Sequence, residues 1–169
     1  MRFKKYIIPY IVFSLIIITI GYFSTEENIG SVDFKRLGYE DAFFIFGVNF
    51  LQIIVWFFLS PLFLSLPLIG KFLFSIGQGP QLTGIDASIY YLSSLSHGFG
   101  EIVVGFFVFV FTIEHFLVWL HFFKTRENHK IKFLYVYNLK KIIPIIAIIL
   151  IVSAFCEVYV SNVLFFKFK

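Results

Sequence analysis

The chain has 169 residues, of which 59% are hydrophobic and only 14% are charged. Soluble domains carry roughly 25% charged residues, and a soluble domain of this length could not hide so much apolar surface from water. The composition therefore predicts an all-α integral membrane protein. We expect one membrane domain over residues 1–169, in contact with membrane lipids and without room for a separate catalytic domain.

The net charge of +4 is informative mainly through its placement. Lys and Arg concentrate at the N-terminus and in residues 124–141. Basic segments beside membrane spans usually stay in the cytoplasm, so both segments are predicted to be cytoplasmic and not to bind nucleic acid. Binding of lipid or a partner by the basic loop is the alternative. The one cysteine, Cys156, can form no intramolecular disulfide.

The first half of the chain predicts two spans. Residues 6–23 form an apolar run of nearly span length with no cleavage pattern after it, so we interpret it as a retained span and not a signal peptide. Residues 24–41 are polar and predict an outside loop. The second span is predicted over 42–59, where Pro61 and Pro67 then interrupt the apolar run.

The middle of the chain predicts a short span and a broken element. Residues 62–77 are apolar except for Lys71 and short for a span. The glycine-rich segment 77–80 predicts a turn. Residues 86–100 are then expected to re-enter the membrane from outside without crossing it, and residues 101–123 to cross it.

The basic loop decides the number of spans. Two spans return the chain to the cytoplasm, and residues 124–141 should also be cytoplasmic, so an even number of crossings lies between them. With a last span over 142–164, the prediction is about five transmembrane helices plus one re-entrant element in a cell membrane, with the N-terminus in the cytoplasm. Four plain spans are the alternative and would violate the charge rule at one end.

Six residues in the apolar segments are predicted to form a polar intramembrane site: His97, Gly98, Glu101, Glu157, Asn49 and Gln52. An ionisable residue at membrane depth costs at least a few kcal/mol and therefore needs a partner or a function. His97 and Glu101 are four residues apart, so on a helix they share a face and can touch. Their segment is either a site for substrate, proton or gating, or a clamp between helices.

The other polar residues have similar alternatives. Glu157 is expected to bond across helices or to take part in proton or cation binding. Asn49 and Gln52, three residues apart, are expected to join helices. Four more polar or aromatic residues approach the predicted cytoplasmic end, where interface anchoring is ordinary; they are Glu114, His115, Trp119 and His121.

No enzyme is predicted. The sequence has no G-x-x-x-x-G-K-[ST] loop, no H-E-x-x-H and no paired cysteines, and two possible ligands four residues apart lack a third. We therefore expect no catalytic residue, no metal and no cofactor. An intramembrane hydrolase using His97 and Ser96 is the enzymatic alternative.

Two segments resemble motifs of a known family. Residues 96–101, SHGFGE, are similar to the [P/S]-H-G-x-x-E signature of the stage II sporulation protein M family, and residues 153–160, SAFCEVYV, resemble its late A-A-x-x-E-x-[FY]-[VI] segment. Asn49 stands where the family has an intramembrane Asn, and residues 77–84 are similar to its glycine-rich turn. Ser96 replaces a common proline, and the usual Asn-Gly pair is missing from that turn.

The resemblance covers roughly residues 40–165 and implies two kinds of function. Compact relatives accompany circular-bacteriocin genes and a separate ATPase, which implies a permease-like subunit, working as a homodimer with a cytoplasmic ATPase and other membrane subunits, in peptide export, maturation or self-protection. The sporulation protein itself implies a membrane scaffold for cell-envelope remodelling.

Overall fold

The computed structural model describes residues 3–26 and 35–168, and the described chain is almost entirely helical. Its α-helices are α1 (Lys4–Phe23), α2 (Tyr39–Leu59), α3 (Ser65–Thr83), α4 (Ala87–Thr125), α5 (His129–Tyr137), α6 (Ile143–Cys156) and α7 (Asn162–Phe168). A 3₁₀ turn, Ser60–Leu62, connects α2 to α3, and two π-turns, Asn138–Ile142 and Glu157–Ser161, join α5, α6 and α7 into one continuous helical stretch. The predicted loop 24–41 lies partly outside the described residues.

The all-α membrane class is confirmed at the level of helix length and composition. Four described stretches are long and apolar enough to cross a membrane: Lys4–Phe23, Tyr39–Leu62, Ala87–Thr125 and His129–Lys167. They contain the predicted spans 6–23, 42–59, 101–123 and 142–164. The predicted span 62–77 falls on α3, which is helical but less apolar, because it carries Lys71 and two glutamines among its 19 residues.

The predicted re-entrant element is wrong as a separate unit. Residues 86–100 do not turn back before residue 101, because α4 continues through Gly98 and Gly100 without a break. The predicted turn at 77–80 is likewise part of α3. In each place one glycine serves close packing instead of a turn: a Cβ atom on Gly100 would overlap the Ser153 hydroxyl, and one on Gly77 would overlap the Ile18 carbonyl.

The turns of the bundle lie at two other points. Pro61 stands in the 3₁₀ turn after α2, as the prolines predict, and Phe63 follows with a left-handed φ of 64°. At the other end Gly84 terminates α3 with the same φ of 64°, a conformation that glycine adopts without strain. Asp86 then caps α4 by accepting the Ser88 N–H at 2.9 Å, and the Ser88 hydroxyl and N–H hold the pKa of that carboxyl below its usual value.

Neighbouring helices alternate in direction along the chain. The α1 and α3 helices are parallel, because residue numbers rise along both of them in the same direction. The pairs that show this are Phe13 with Gly70, Gly21 with Phe74, and Thr25 with Gln78. The α2 and α4 helices are also parallel, since Asn49 meets Glu101 and Ser60 meets His115. The α3 and α4 helices are antiparallel, with Phe63 beside Phe116 and Gly79 beside Tyr90.

The last helical stretch also runs antiparallel to α4, because Ser161 meets Ser96 near the start of α4 and Asn138 meets His115 further along it. Helices α1, α3 and α5–α7 therefore point one way, and α2 and α4 point the other way. The core between them is apolar, and many large apolar side chains face outwards from α1, α2 and α6. Such an apolar surface suits lipid and not water.

Two of the helical stretches are much longer than the others. The α4 helix and the stretch His129–Lys167 have 39 residues each, about 58 Å at 1.5 Å per residue, whereas α3 has only 19. The α4 helix begins level with the end of α3, where Tyr90 packs on Gly79. Part of its extra length therefore lies at the opposite end, where nine residues, about 14 Å, follow Phe116, which contacts Phe63.

The contact of α1 with α3 generates a prediction. Gly77→Ala should destabilise the protein by about 1–3 kcal/mol, the usual cost of forcing atoms into a filled interface, because the new Cβ meets the backbone of Ile18. Thermal unfolding in detergent measures this. Gly47→Ala on α2 is the matched control, since a Cβ there meets nothing within 4 Å; equal melting temperatures for the two variants would contradict this packing.

Candidate functional site

Three of the six predicted site residues lie at contacts of α4 with α2 and with the second π-turn. The His97 Nδ1 atom is 2.7 Å from the Ser161 hydroxyl, which is also 2.9 Å from the Ser96 hydroxyl. Glu101 lies one turn further along α4 and accepts a hydrogen bond of 3.2 Å from the Asn49 amide of α2. The polar residues thus join three helical stretches that are far apart in sequence.

His97 and Glu101 do not bond to each other. Their i,i+4 spacing predicts a shared face, but in the described part of the chain each hydrogen bond of the pair goes to another helix instead. The two side chains diverge because α4 is packed against α2 on one side and against the last helical stretch on the other. The site is therefore a set of interhelical contacts and not an isolated ion pair.

A small cavity lies beside Glu101. Its volume is about 40 Å³, and its polar walls are Asn49, Gln52 and Glu101, while the remaining walls are apolar, among them Trp56 and Phe72. A buried water needs roughly 10–15 Å³ of such space and two to four polar partners. The cavity can hold one or a few water molecules, which the two amides and the carboxyl would bind.

Glu157 and Gly98 take part in none of these hydrogen bonds. Glu157 opens the second π-turn and is half-buried, and no hydrogen bond to it is found among the described residues. Gly98 does not serve helix packing, because a Cβ atom there would meet nothing within 4 Å. Gly100 and Gly105 do serve it: the space above Gly105 is filled by the Tyr10 hydroxyl, which donates to the Ile102 carbonyl at 2.8 Å.

A second polar cluster, around His115, is more deeply buried, and the sequence analysis did not predict this burial. His115 is 0% exposed and is stacked against Tyr135 with ring centroids 4.3 Å apart. Its Nε2 accepts from the Asn138 amide at 3.0 Å, so in the neutral ring its Nδ1–H donates to the Ser60 hydroxyl. Ser60 in turn donates to the Phe57 carbonyl at 2.6 Å.

This chain of hydrogen bonds ties together the α2–α3 turn, α4 and the first π-turn. The sequence suggested only an interface anchor at Glu114 and His115. The signal that could have indicated burial is the aromatic spacing on α4, since Phe111 and His115 are one turn apart and stack with an interplanar angle of 9°. A π-turn at Asn138 is itself a feature that occurs often at functional sites.

The polar groups of this site make hydrogen bonds between helices. Within residues 3–26 and 35–168 no group of three His, Cys, Asp or Glu side chains is placed to hold a metal ion. His97 bonds to the Ser161 hydroxyl and Glu101 to the Asn49 amide.

Comparison with known proteins leaves the family open. No protein-family model, no curated protein and no solved structure matches the chain. The resemblance to the stage II sporulation protein M family therefore stays a hypothesis based on the two motifs.

The close contact of α4 with α6 generates a second prediction. Gly100→Ala should reduce the melting temperature in detergent, because its Cβ would overlap the Ser153 hydroxyl, whereas Gly98→Ala should not. Adding Ser153→Ala to Gly100→Ala removes that hydroxyl and should restore most of the loss. A double variant that is no more stable than Gly100→Ala alone would argue against this contact.

The His115 cluster generates a third prediction. His115→Ala should destabilise the protein by about 3 kcal/mol, because it leaves a cavity between aromatic rings and removes the partner of two buried polar groups. Thermal unfolding in detergent compares it with His121→Ala, whose side chain is partly exposed near the α4–α5 turn. Equal stability of the two variants would show that His115 does not hold this junction together.

Proposed function

We propose that the chain is a membrane subunit of the stage II sporulation protein M type. In this proposal it is a permease-like component, acting as a dimer with a separate ATPase, in export, maturation or self-protection connected with a peptide such as a bacteriocin. The observation that supports it most is the set of interhelical contacts at His97, Glu101 and Asn49, which join three helical stretches. A small cavity adjoins Glu101 and Asn49.

The proposal includes five crossings of the membrane. The alternation of helix direction supports this number, because α1 and α3 are parallel and α2 runs between them in the opposite direction. If α1, α2 and α4 cross, then α3 has the direction and the length of about 28 Å that a crossing requires. In this arrangement the N-terminus, the α2–α3 turn and the α4–α5 turn share the cytoplasmic side.

A permease role gives the polar contacts a physical purpose. Helices that slide or tilt against one another need contacts that can break and re-form, and small residues with single hydrogen bonds provide them. The contact of Glu101 with Asn49 is one bond of 3.2 Å beside space for water. The sequence carries no nucleotide-binding loop, so in this proposal the energy for movement comes from the ATPase.

The proposal is tested by isolating the protein with the products of its neighbouring genes. We expect an ATPase to co-purify in stable stoichiometry, and deletion of this chain to abolish export of the associated peptide or immunity to it. Recovery of the protein alone, together with unchanged export and immunity in the deletion strain, would contradict the proposal.

A scaffold for cell-envelope remodelling is the second candidate function. The hydrogen bonds of His97 and Asn49 also fit a scaffold, because they would hold the helices in fixed positions as well as they would serve a permease. The two candidates differ in Glu101→Gln, whose amide oxygen can still accept from Asn49 but which cannot ionise.

A permease that uses the carboxylate should lose at least tenfold of its export activity in Glu101→Gln, with normal folding and membrane insertion. A scaffold should keep its function. Glu40→Gln, at an exposed position at the start of α2, is the matched control and should be active in both cases. Full activity of Glu101→Gln would therefore favour the scaffold.

A further inference from the structure

The end of α4 and the α5 helix form a hairpin that extends past the rest of the bundle. Beyond Phe116, the last α4 residue with a ring contact to the α2–α3 turn, the helix continues for nine residues to Thr125, about 14 Å. Arg126, with a left-handed φ of 61°, ends it and leads into α5. Val118 of α4 and Leu134 of α5 line the same groove, so the two helices pack side by side.

Exposed lysines indicate where the membrane surface crosses the bundle. Lys4 and Lys5 follow Phe3, which packs on Phe106 and Phe107 of α4. Lys140 and Lys141 follow Asn138, which bonds to His115 of α4. These cations are exposed and belong near the lipid headgroups, so the α4 residues beyond Phe116 lie further out, in water.

The hairpin nevertheless exposes large apolar side chains. Phe123 is 61% exposed and Phe133 is 68% exposed. A groove of about 290 Å³ beside Phe133 is lined by Val118, Leu134, His129 and Lys130. Apolar surface exposed on a part of the protein that leaves the membrane is typical of a site that another protein covers.

The charge of the hairpin is strongly one-sided. Its exposed cations are Lys124, Arg126, Lys130 and Lys132, and its one carboxylate among residues 117–137 is Glu127. Lys130 donates to Glu127 at 3.1 Å and to His121 Nε2 at 2.8 Å. This ammonium holds the pKa of Glu127 below its usual value. The remaining cations therefore face outwards without compensation and would attract an acidic surface.

The direction of the hairpin distinguishes a protein partner from a lipid surface. A basic amphipathic helix that binds lipid headgroups lies in the plane of the membrane. The first arm of this hairpin cannot do so, because α4 continues without a break from its apolar part to Thr125. Only a partner that stands beside the hairpin in the water phase can cover both of its arms.

We propose that the hairpin 117–137 is the docking element for the ATPase subunit, which would receive Phe123 and Phe133 in an apolar groove with an acidic rim. The inference rests on the proposed function, because that function supplies the cytoplasmic partner. The hairpin is attached to α4 and to the His115 cluster, so movement of the partner would be transmitted directly to the helix that carries His97 and Glu101.

Site-specific photo-crosslinking tests the inference. A photo-reactive phenylalanine analogue at position 133 should give an adduct with the co-expressed ATPase, and one at Ile148, an exposed residue of α6, should not. Lys124→Glu with Lys132→Glu should lower the adduct yield at least fivefold. Lys35→Glu, an exposed lysine before α2 at the other end of the bundle, should leave it unchanged.

The outcomes separate the two proposals. If the ATPase co-purifies equally well with the wild type and the double variant and position 133 gives no adduct with it, the docking site is wrong and the proposed function stands. Adducts of position 133 with lipid alone, or with a second copy of this chain alone, also overturn the docking site. If no ATPase is recovered with the wild type in the first place, the proposed function fails as well.

Discussion

The α4 helix is much longer than a membrane is thick, and the placement of the polar groups and of the basic hairpin depends on this mismatch. The hydrocarbon core of a bilayer is roughly 30 Å thick, and α4 at about 58 Å is nearly twice as long. Because Tyr90 of α4 packs on Gly79 near the end of α3, the two helices are level there, and about 14 Å of the excess of α4 lies beyond Phe116 at its other end. A single rigid helix thus carries both the polar groups inside the bundle and the basic hairpin outside it.

The polar contacts occupy two levels along this helix. His97 and Glu101 lie nearer the start of α4 and make single hydrogen bonds to other helical stretches, and Glu101 also borders a small cavity. His115 lies nearer the hairpin and is enclosed by rings and bonded on both nitrogens. The residues of the first level are half-buried, whereas Ser60, His115 and Asn138 at the second level are fully buried. In the proposed function, movement that begins at the hairpin would therefore pass the second level as a rigid unit and change contacts at the first.

The sequence was sufficient for the helical membrane class and for the approximate position of four long spans, because these follow from composition and run length. The helix break at Pro61 also followed, since proline has a local effect. The glycines at 77 and 100 led to wrong predictions of a turn and of a re-entrant element. The same glycine pattern can form a turn or allow a neighbouring helix to approach, and the packing of the neighbouring helix determines which of the two occurs. The partners of Glu101 and His115 are 52 and 55 residues away in sequence, a distance that no local spacing can predict.

Topology is the most direct test of five crossings, because among the described helices of span length α3 is the one that is too polar to be recognised as a span by its composition. Single cysteines are placed at Pro61 and Asp86, the turns on either side of α3, in a background in which Cys156 is replaced by serine. A membrane-impermeant maleimide is then applied to intact cells. If α3 crosses the membrane, Asp86→Cys is labelled at once and Pro61→Cys is labelled only after the membrane is opened. Labelling of both positions from the same side would contradict this crossing.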